Sequence, residues 1–115
     1  MKEVSIDAKG KKLGRLATEV ALVLRGKNES TFERHILPTV KVSVTNAGQM
    51  ETDEKKLTFI EHKRYSGYAS GLKIQKGTEV AAKKGKRELL RKAVYGMLPK
   101  NASRAKIMKN LNITE

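Results

Sequence analysis

The chain has 115 residues, no cysteine, and 25 Lys and Arg against 12 Asp and Glu, which gives a net charge of +13. We expect one domain over residues 1–115, because this is the usual domain size and is long enough to bury an ordinary core. The lack of cysteine excludes disulfides, thiolate metal sites and cysteine nucleophiles. No apolar run approaches the roughly 20 residues that span a bilayer, so we expect a soluble protein that is not exported and has no membrane partner.

The first third predicts a strand followed by a helix. Val4 and Ile6 alternate with polar residues, which indicates a short strand. From Leu13 to Leu24, apolar residues recur at i, i+3, i+4, i+7, i+8 and i+11, which is one continuous helix face. Gly26 follows where helices commonly end in a left-handed cap. Because no capping side chain adjoins Leu13, the lysines before it either accompany an anion docked on the helix N-terminus or form a solvated turn.

The middle third predicts two extended segments. Val40, Val42 and Val44 alternate with polar residues, which is the period of a strand with one apolar face. An acidic turn follows over 51–54. The apolar residues of 57–60 then indicate a second extended segment that runs toward Arg64.

The last third predicts helices and a closing strand. Thr78 is a candidate cap for a short helix that is interrupted at Gly85, and the apolar residues of 89–98 form rows typical of an amphipathic helix. Ser103 is a candidate cap for a last short helix, and 111–113 is a candidate strand. This mixture of strands and helices predicts the α/β fold class, with helices packed on a sheet.

The positive charge is concentrated in the second half. Residues 62–109 contain 14 basic and two acidic residues, whereas the rest of the chain contains 11 basic and 10 acidic ones. Solubility does not require such an excess in a small domain. A polyanionic partner is therefore the natural inference.

The residues that catalysis or metal binding would need are scarce. His35 and His62 are the only histidines, and no ligand spacing surrounds them, so we expect no metal and no cofactor. The lysine and glycine run over 9–14 lacks the spacing of a phosphate loop, so we expect no small-molecule substrate. The alternative that stays open is an RNA- or phosphate-directed enzyme that uses a histidine as general acid or base.

One segment, HKRYSGYASGLK at 62–73, combines the residue types that bind RNA. Lys and Arg contact phosphates, Tyr and Arg planes stack on unpaired bases, and Gly allows close backbone approach. Arg64, Tyr65, Tyr68 and Lys73 are candidates there, although either tyrosine could instead pack on the domain's own core. Because the chain has only three Tyr and two Phe, folded RNA bound by shape and phosphate fits better than a single-strand stacking platform.

Three ordered blocks of sequence resemble a known family. DAKGKKLGRLATEVALVLRGK at 7–27, RYSGYASGLK at 64–73 and AVYGMLPKN at 93–101 are similar to signatures of the bacterial large-subunit ribosomal protein thirteen family. The resemblance implies a three-layer α/β/α domain with a small, about four-stranded, mostly parallel central sheet. It also implies binding to large-subunit ribosomal RNA, neighbouring ribosomal proteins as partners, a part in early subunit assembly, and no catalysis. The expected location is the ribosome of the cytoplasm or of an organelle.

The resemblance also carries residue roles to matching positions. It implies RNA contacts by Lys12, Arg15, Lys27, His35, Arg64, Tyr65, Tyr68, Lys73, Lys100 and Asn101. The concentration of charge adds Arg87, Arg91 and Lys92, and the candidate RNA-binding set is completed by Lys11, Arg34, Lys63, Arg104 and Lys106.

Two departures from the family pattern bear on these expectations. Ser103-Arg104-Ala105 stands where the family usually has leucine, glycine and arginine, so either Arg104 supplies the cation from a shifted position or the local turn differs. The strand at 40–44 carries Lys41 and Ser43 where bulky apolar residues are usual. One face of that strand should therefore be weakly covered, or covered by RNA.

Overall fold

The structure is a computed structural model, and it describes residues 2–27, 30, 37, 38, 40–52 and 54–115. Strands and helices alternate along this part of the chain. In chain order they are β1 (Lys2–Asp7), α1 (Leu13–Leu24), β2 (Val40–Thr45), a 3-10 turn (Ala47–Gln49), α2 (Glu54–Phe59), β3 (Glu61–Tyr65), β4 (Leu72–Lys76), α3 (Gly77–Lys84), α4 (Lys86–Met97), α5 (Ser103–Met108) and β5 (Leu111–Ile113).

A three-stranded parallel sheet in the order β1-β2-β5 forms the centre of the fold. The register places Val42 between Val4 and Leu111, and side chains of this set point to one face because successive residues of a strand alternate. That face is apolar and packs against the core, whereas Lys41 and Ser43 on the outer face are exposed. The structure thus confirms an α/β fold with a mostly parallel sheet, and no helix in the described ranges covers the outer face.

The main core lies between the inner face of the sheet and two long helices. Leu16 and Val20 of α1 and Leu90 and Val94 of α4 are almost completely buried there. Full burial of such a side chain stabilises the fold by about 1.5–3 kcal/mol. The apolar periodicity of α1 and α4 therefore identified the helix faces that hold the domain together.

The second pair of strands does not join this sheet. β3 and β4 form a separate antiparallel ribbon, in which Lys63 lies opposite Ile74 and Tyr65 lies opposite Leu72. The resemblance implied about four strands in one central sheet, whereas this sheet has three. The difference arises because β3 pairs with β4, the strand that follows it along the chain, and not with the central sheet. The 62–73 segment is consequently a hairpin rather than an irregular loop, and β4 was not predicted from its sequence.

The extended segment predicted from 57 toward Arg64 is wrong in its first part, because Leu57 and Phe59 belong to α2, and it is confirmed over 61–64, which lie in β3. Leu57 packs with Val80 and Leu89 in a second, smaller core cluster, and Ile60 lies against the same cluster. Side chains three residues apart share one face of a helix but not one face of a strand. Burial of both side chains in one cluster therefore favours the helix.

The junction between α3 and α4 depends on a glycine. Gly85 has φ 84° and ψ 171°, a combination that is almost restricted to glycine. We expect Gly85→Ala to lower the free energy of unfolding by about 1–3 kcal/mol, measured by urea denaturation. Gly96 lies in α4 with open space around it, so Gly96→Ala is the matched control and should raise stability by about 0.5–1 kcal/mol. Equal effects of the two substitutions would contradict this explanation.

Candidate nucleic-acid interface

A wide groove lies between the free edge of β3 and the helices α4 and α5. Its volume is about 700 Å³, and it is open to solvent. We call it the α4 groove and define it by six of its lining residues: His62, Lys63, Arg91, Lys92, Tyr95 and Lys109. Three of these, Lys63, Arg91 and Lys92, belong to the predicted RNA-binding set.

One face of α4 forms the wall of the groove. Glu88, Arg91, Lys92 and Tyr95 follow one another at i, i+3, i+4 and i+7, so they share a helix face, while Leu90 and others face the core. Amphipathic α4 thus has two functions. Its apolar face stabilises the domain, and its polar face carries two cations and an aromatic ring into the groove.

Tyr95 is held in place by a cation from α5. The Arg104 guanidinium carbon lies 3.8 Å from the centre of the Tyr95 ring, and Arg104 Nη2 donates a hydrogen bond of 2.8 Å to the tyrosine hydroxyl. A stacked cation of this kind restricts both side chains. The Ser103-Arg104-Ala105 departure therefore makes Arg104 the partner of Tyr95, which lines the groove.

His62 lines the same groove and is neutral near pH 7. Its burial lowers the pKa of the imidazole below the ordinary value of 6.5, the charge of Lys92 lowers it further, and Glu88 acts in the opposite direction. The Nε2 atom is shielded from solvent and has no hydrogen-bond partner within the described ranges. No serine or carboxylate is hydrogen-bonded to Nε2 there.

The lowered pKa of His62 predicts a pH dependence of stability. Below about pH 6.5 the unfolded chain binds a proton on this histidine more readily than the folded chain does, so stability should fall as the pH falls from about 7 to about 5. We expect His62→Gln to flatten this part of the profile, measured by urea denaturation at each pH. An unchanged profile in the variant would exclude His62 as its source.

The β3–β4 ribbon separates the predicted residues onto two faces. Arg64 lies directly opposite Lys73, so these two cations share one face. Lys63 lies on the other face, together with the exposed side chains of Tyr65 and Leu72, and it forms a 3.8 Å ion pair with Glu61. Sequence reasoning grouped Arg64 with Tyr65, but the strand period places these two residues on opposite faces of the ribbon.

The hairpin loop exposes its tyrosine. Tyr68 is 80% exposed and Tyr65 is 64% exposed, so neither packs in the core and the alternative of core tyrosines is wrong. Gly71 closes the loop: its N–H donates to the Tyr68 carbonyl at 3.0 Å, and a Cβ there would lie 2.9 Å from that oxygen. The glycine thus allows the loop to fold tightly around an outward-pointing aromatic side chain.

A second group of cations surrounds the start of α1. Lys11, Lys12 and Arg15 line a cavity of about 400 Å³, and Lys11 forms a 3.4 Å ion pair with Glu19. The helix begins without a side-chain cap and without an acidic residue in its first turn, as the sequence indicated. The structure therefore gathers three basic residues of the first sequence block, Lys11, Lys12 and Arg15, at one place.

The remaining predicted residues are dispersed over the surface. Lys27, Arg87, Lys100 and Lys106 are exposed. Asn101 is also exposed, but its side-chain oxygen accepts a 3.0 Å hydrogen bond from the Ser103 N–H and so helps to begin α5. The predictions for Arg34 and His35 lie outside the described residues.

Three members of the α4 groove, His62, Tyr95 and Lys109, were not among the candidate RNA-binding residues. The i, i+3, i+4, i+7 spacing of α4 could have revealed Tyr95, because it follows Lys92 by three residues on the polar face. No comparable signal links Lys109 to α4, since their approach depends on the packing of α5.

Metal-binding clusters and membrane-spanning helices are both absent from the part of the chain that the structure describes. Among the described residues, no group of three or more His, Asp or Glu side chains is arranged to hold a metal ion. The helices of these same ranges include none that is long and apolar enough to cross a membrane.

Fold and surface together define a small basic α/β protein whose exposed cations suit a polyanionic partner. The comparison with protein families is more specific. The chain belongs to the Ribosomal protein L13 family, whose model matches residues 1–115. The resemblance drawn from the three sequence blocks is thereby confirmed.

Individual relatives agree with this assignment. The chain is 43% identical over 108 residues to the large ribosomal subunit protein uL13 of Clostridioides difficile (strain 630). The matched region covers 94% of this chain and 75% of that protein. It is 41% identical over 108 residues to uL13 of Geobacillus kaustophilus (strain HTA426), with 94% and 74% covered. It is also 37% identical over 108 residues to the large ribosomal subunit protein uL13c of Gracilaria tenuistipitata var. liui, with 94% and 75% covered.

Proposed function

We infer that this chain is a structural constituent of the large ribosomal subunit, that it resides in the ribosome, and that it is not an enzyme. Membership of the Ribosomal protein L13 family is the observation that carries this conclusion. The partners that this membership implies are large-subunit ribosomal RNA and other ribosomal proteins. The histidine-dependent enzyme considered from the sequence has no support in the surroundings of His62.

The proposed interface consists of three cationic surfaces. They are the α4 groove, the Arg64 and Lys73 face of the ribbon, and the group at the start of α1. Lys and Arg on these surfaces neutralise phosphates that RNA folding brings close together, and neutralisation releases counterions. The protein thus acts as a multivalent cation of fixed shape, which favours compact RNA over an extended duplex.

Charge neutralisation also gives the protein a part in assembly. RNA strands that repel one another can approach when one rigid domain contacts phosphates on several of them. We propose that this chain joins the large subunit early for that reason, and that it does so in bacterial cytoplasm or in an organelle. Neighbouring ribosomal proteins contact surfaces that the RNA leaves open.

Binding assays against folded and duplex RNA test the proposal. We expect tighter binding to a folded fragment of large-subunit ribosomal RNA than to a duplex of equal length. Affinity should fall steeply from low to moderate salt, with each phosphate contact adding about 0.7–0.9 to the log–log slope. Sedimentation with the large subunit through a high-salt gradient is the second readout. Equal affinity for the two RNAs would contradict the proposal.

A further inference from the structure

The α4 groove has the size and the composition of a nucleotide site. Its volume of about 700 Å³ lies within the 300–1,000 Å³ that is usual for small-ligand pockets. Its walls supply an aromatic ring and two cations from α4, an apolar surface from Met108 of α5, and a third cation from Lys109, which follows α5. A purely electrostatic surface for phosphates would not need the ring.

The groove contains more cationic side chains than carboxylates. Glu61 is paired with Lys63, which leaves Arg91, Lys92 and Lys109 against the single carboxylate of Glu88. Arg offers two parallel N–H donors to phosphate oxygens, while the lysines act as point charges. The excess of positive charge therefore favours an anionic ligand.

The ring of Tyr95 provides the surface for a base. One of its faces is occupied by Arg104, at 3.8 Å from the guanidinium carbon to the ring centre, so a planar ligand would stack on the remaining face. The tyrosine is 44% exposed and lines the groove. Aromatic rings of this kind bind unpaired RNA bases, and a guanidinium beneath the ring keeps it from rotating away.

His62 supplies a polar group that the fold leaves unused. The Nε2 atom is shielded from solvent and has no hydrogen-bond partner within the described ranges, which is unfavourable for a polar group. A neutral imidazole can donate or accept a hydrogen bond, according to its tautomer. A small rotation toward a base edge in the groove would satisfy it.

We propose that the α4 groove binds a single unpaired nucleotide of RNA, with its base stacked on Tyr95 and its phosphate held by Arg91, Lys92 and Lys109. The inference rests on the proposed function and makes it more specific. General phosphate contacts would hold folded RNA at any sequence that presents the right shape. The groove would add a requirement for one base that is extruded from the RNA helices.

Titration of the full chain with adenosine 5′-monophosphate, followed by amide NMR, tests the site directly. We expect weak binding that shifts the signals of residues 91–95 and 104–109, together with contacts between the base protons and the Tyr95 ring in nuclear Overhauser spectra. Ribose 5-phosphate, which lacks the base, should shift fewer of these signals and bind more weakly. Equal effects of the two compounds, or shifts confined to the β3–β4 ribbon, would overturn the inference.

Substitutions separate stacking from charge. Tyr95→Leu should weaken adenosine 5′-monophosphate binding about fivefold or more, the effect of losing one base stack, whereas Tyr95→Phe should keep it. Phe59→Leu is the matched control, because Phe59 is an exposed aromatic residue of α2 that does not line the groove. If Tyr95→Leu does not fold, the nuclear Overhauser contacts between the base protons and the Tyr95 ring of the unsubstituted protein test the site instead. Their absence would overturn the proposal. Undiminished nucleotide binding by a folded Tyr95→Leu protein would overturn the proposal.

The same variants distinguish this inference from the proposed function. With the folded large-subunit RNA fragment, Tyr95→Leu should lower affinity about fivefold without changing the salt slope. If Tyr95→Leu binds that RNA as the unsubstituted protein does, the nucleotide site is refuted and the proposed function stands. If the unsubstituted protein does not prefer the folded RNA at all, the proposed function fails.

Discussion

Replacing Arg91, Lys92 and Lys109 together by glutamine should lower affinity for the folded large-subunit RNA fragment by about tenfold to a hundredfold near 0.1 M salt. The log–log slope of affinity against salt should fall by about 2–3, because each lost phosphate contact removes about 0.7–0.9. These three side chains converge on the α4 groove from α4 and from the residue that follows α5. Filter binding over a series of salt concentrations measures both quantities.

The control for this variant has the same change in net charge at another place. Lys2, Lys9 and Lys83 lie outside the α4 groove, the Arg64 and Lys73 face of the ribbon, and the group at the start of α1. Their joint replacement by glutamine should change the slope by less than 1. If the two triple variants lose affinity equally, only the total charge matters and the groove is not the interface.

Replacing Leu90 by alanine should lower the free energy of unfolding by about 2–5 kcal/mol. Leu90 is completely buried where α4 meets the main core, so the substitution leaves a cavity that close-packed neighbours cannot fill. A domain of this size has a total stability of about 5–15 kcal/mol, so a large part of it would be lost. Urea denaturation measures the difference.

A leucine on the exposed side of α1 is the control for Leu90. Leu22 is 45% exposed, and Leu22→Ala should change stability by about 0.5 kcal/mol or less. RNA binding by folded Leu90→Ala should keep the salt slope of the unsubstituted protein, because no cation is removed. Similar losses of stability in the two variants would mean that α4 does not pack as the structure shows.

Elements with a strong apolar period were predictable from sequence. α1 and α4 were identified because their apolar residues recur at helical spacing and pack against the sheet. β1 and β2 were identified by alternation for the same reason. In each case the periodicity corresponds to one buried face, so the spacing of apolar residues is enough to identify the helix or strand.

Elements that bury little were not predictable. β4 is exposed along its whole length, so no apolar face marks it, and it exists because its backbone pairs with β3. α2 has only six residues, too few for its period to be distinguished from an extended segment. Its helical form follows from the contact of Leu57 with Val80 and Leu89, which lie far along the chain.

The candidate interface was predictable in composition but not in arrangement. The residues 62–109, where the charge is concentrated, include the α4 groove and most of the β3–β4 ribbon. The concentration of charge could not show that Lys63 and Arg64 point to opposite faces of a ribbon, since the strand boundaries were unknown. Nor could it place Arg104 on Tyr95, because that contact depends on how α5 packs against α4.

A cryo-electron microscopy structure of the large ribosomal subunit containing this chain is the most direct test of the claim that its cationic surfaces bind ribosomal RNA. We expect phosphates within hydrogen-bonding distance of Arg91, Lys92 and Lys109 in the α4 groove, and of Arg64 and Lys73 on the ribbon. RNA that contacts only the outer face of the β1-β2-β5 sheet, with the groove left to solvent, would contradict this account.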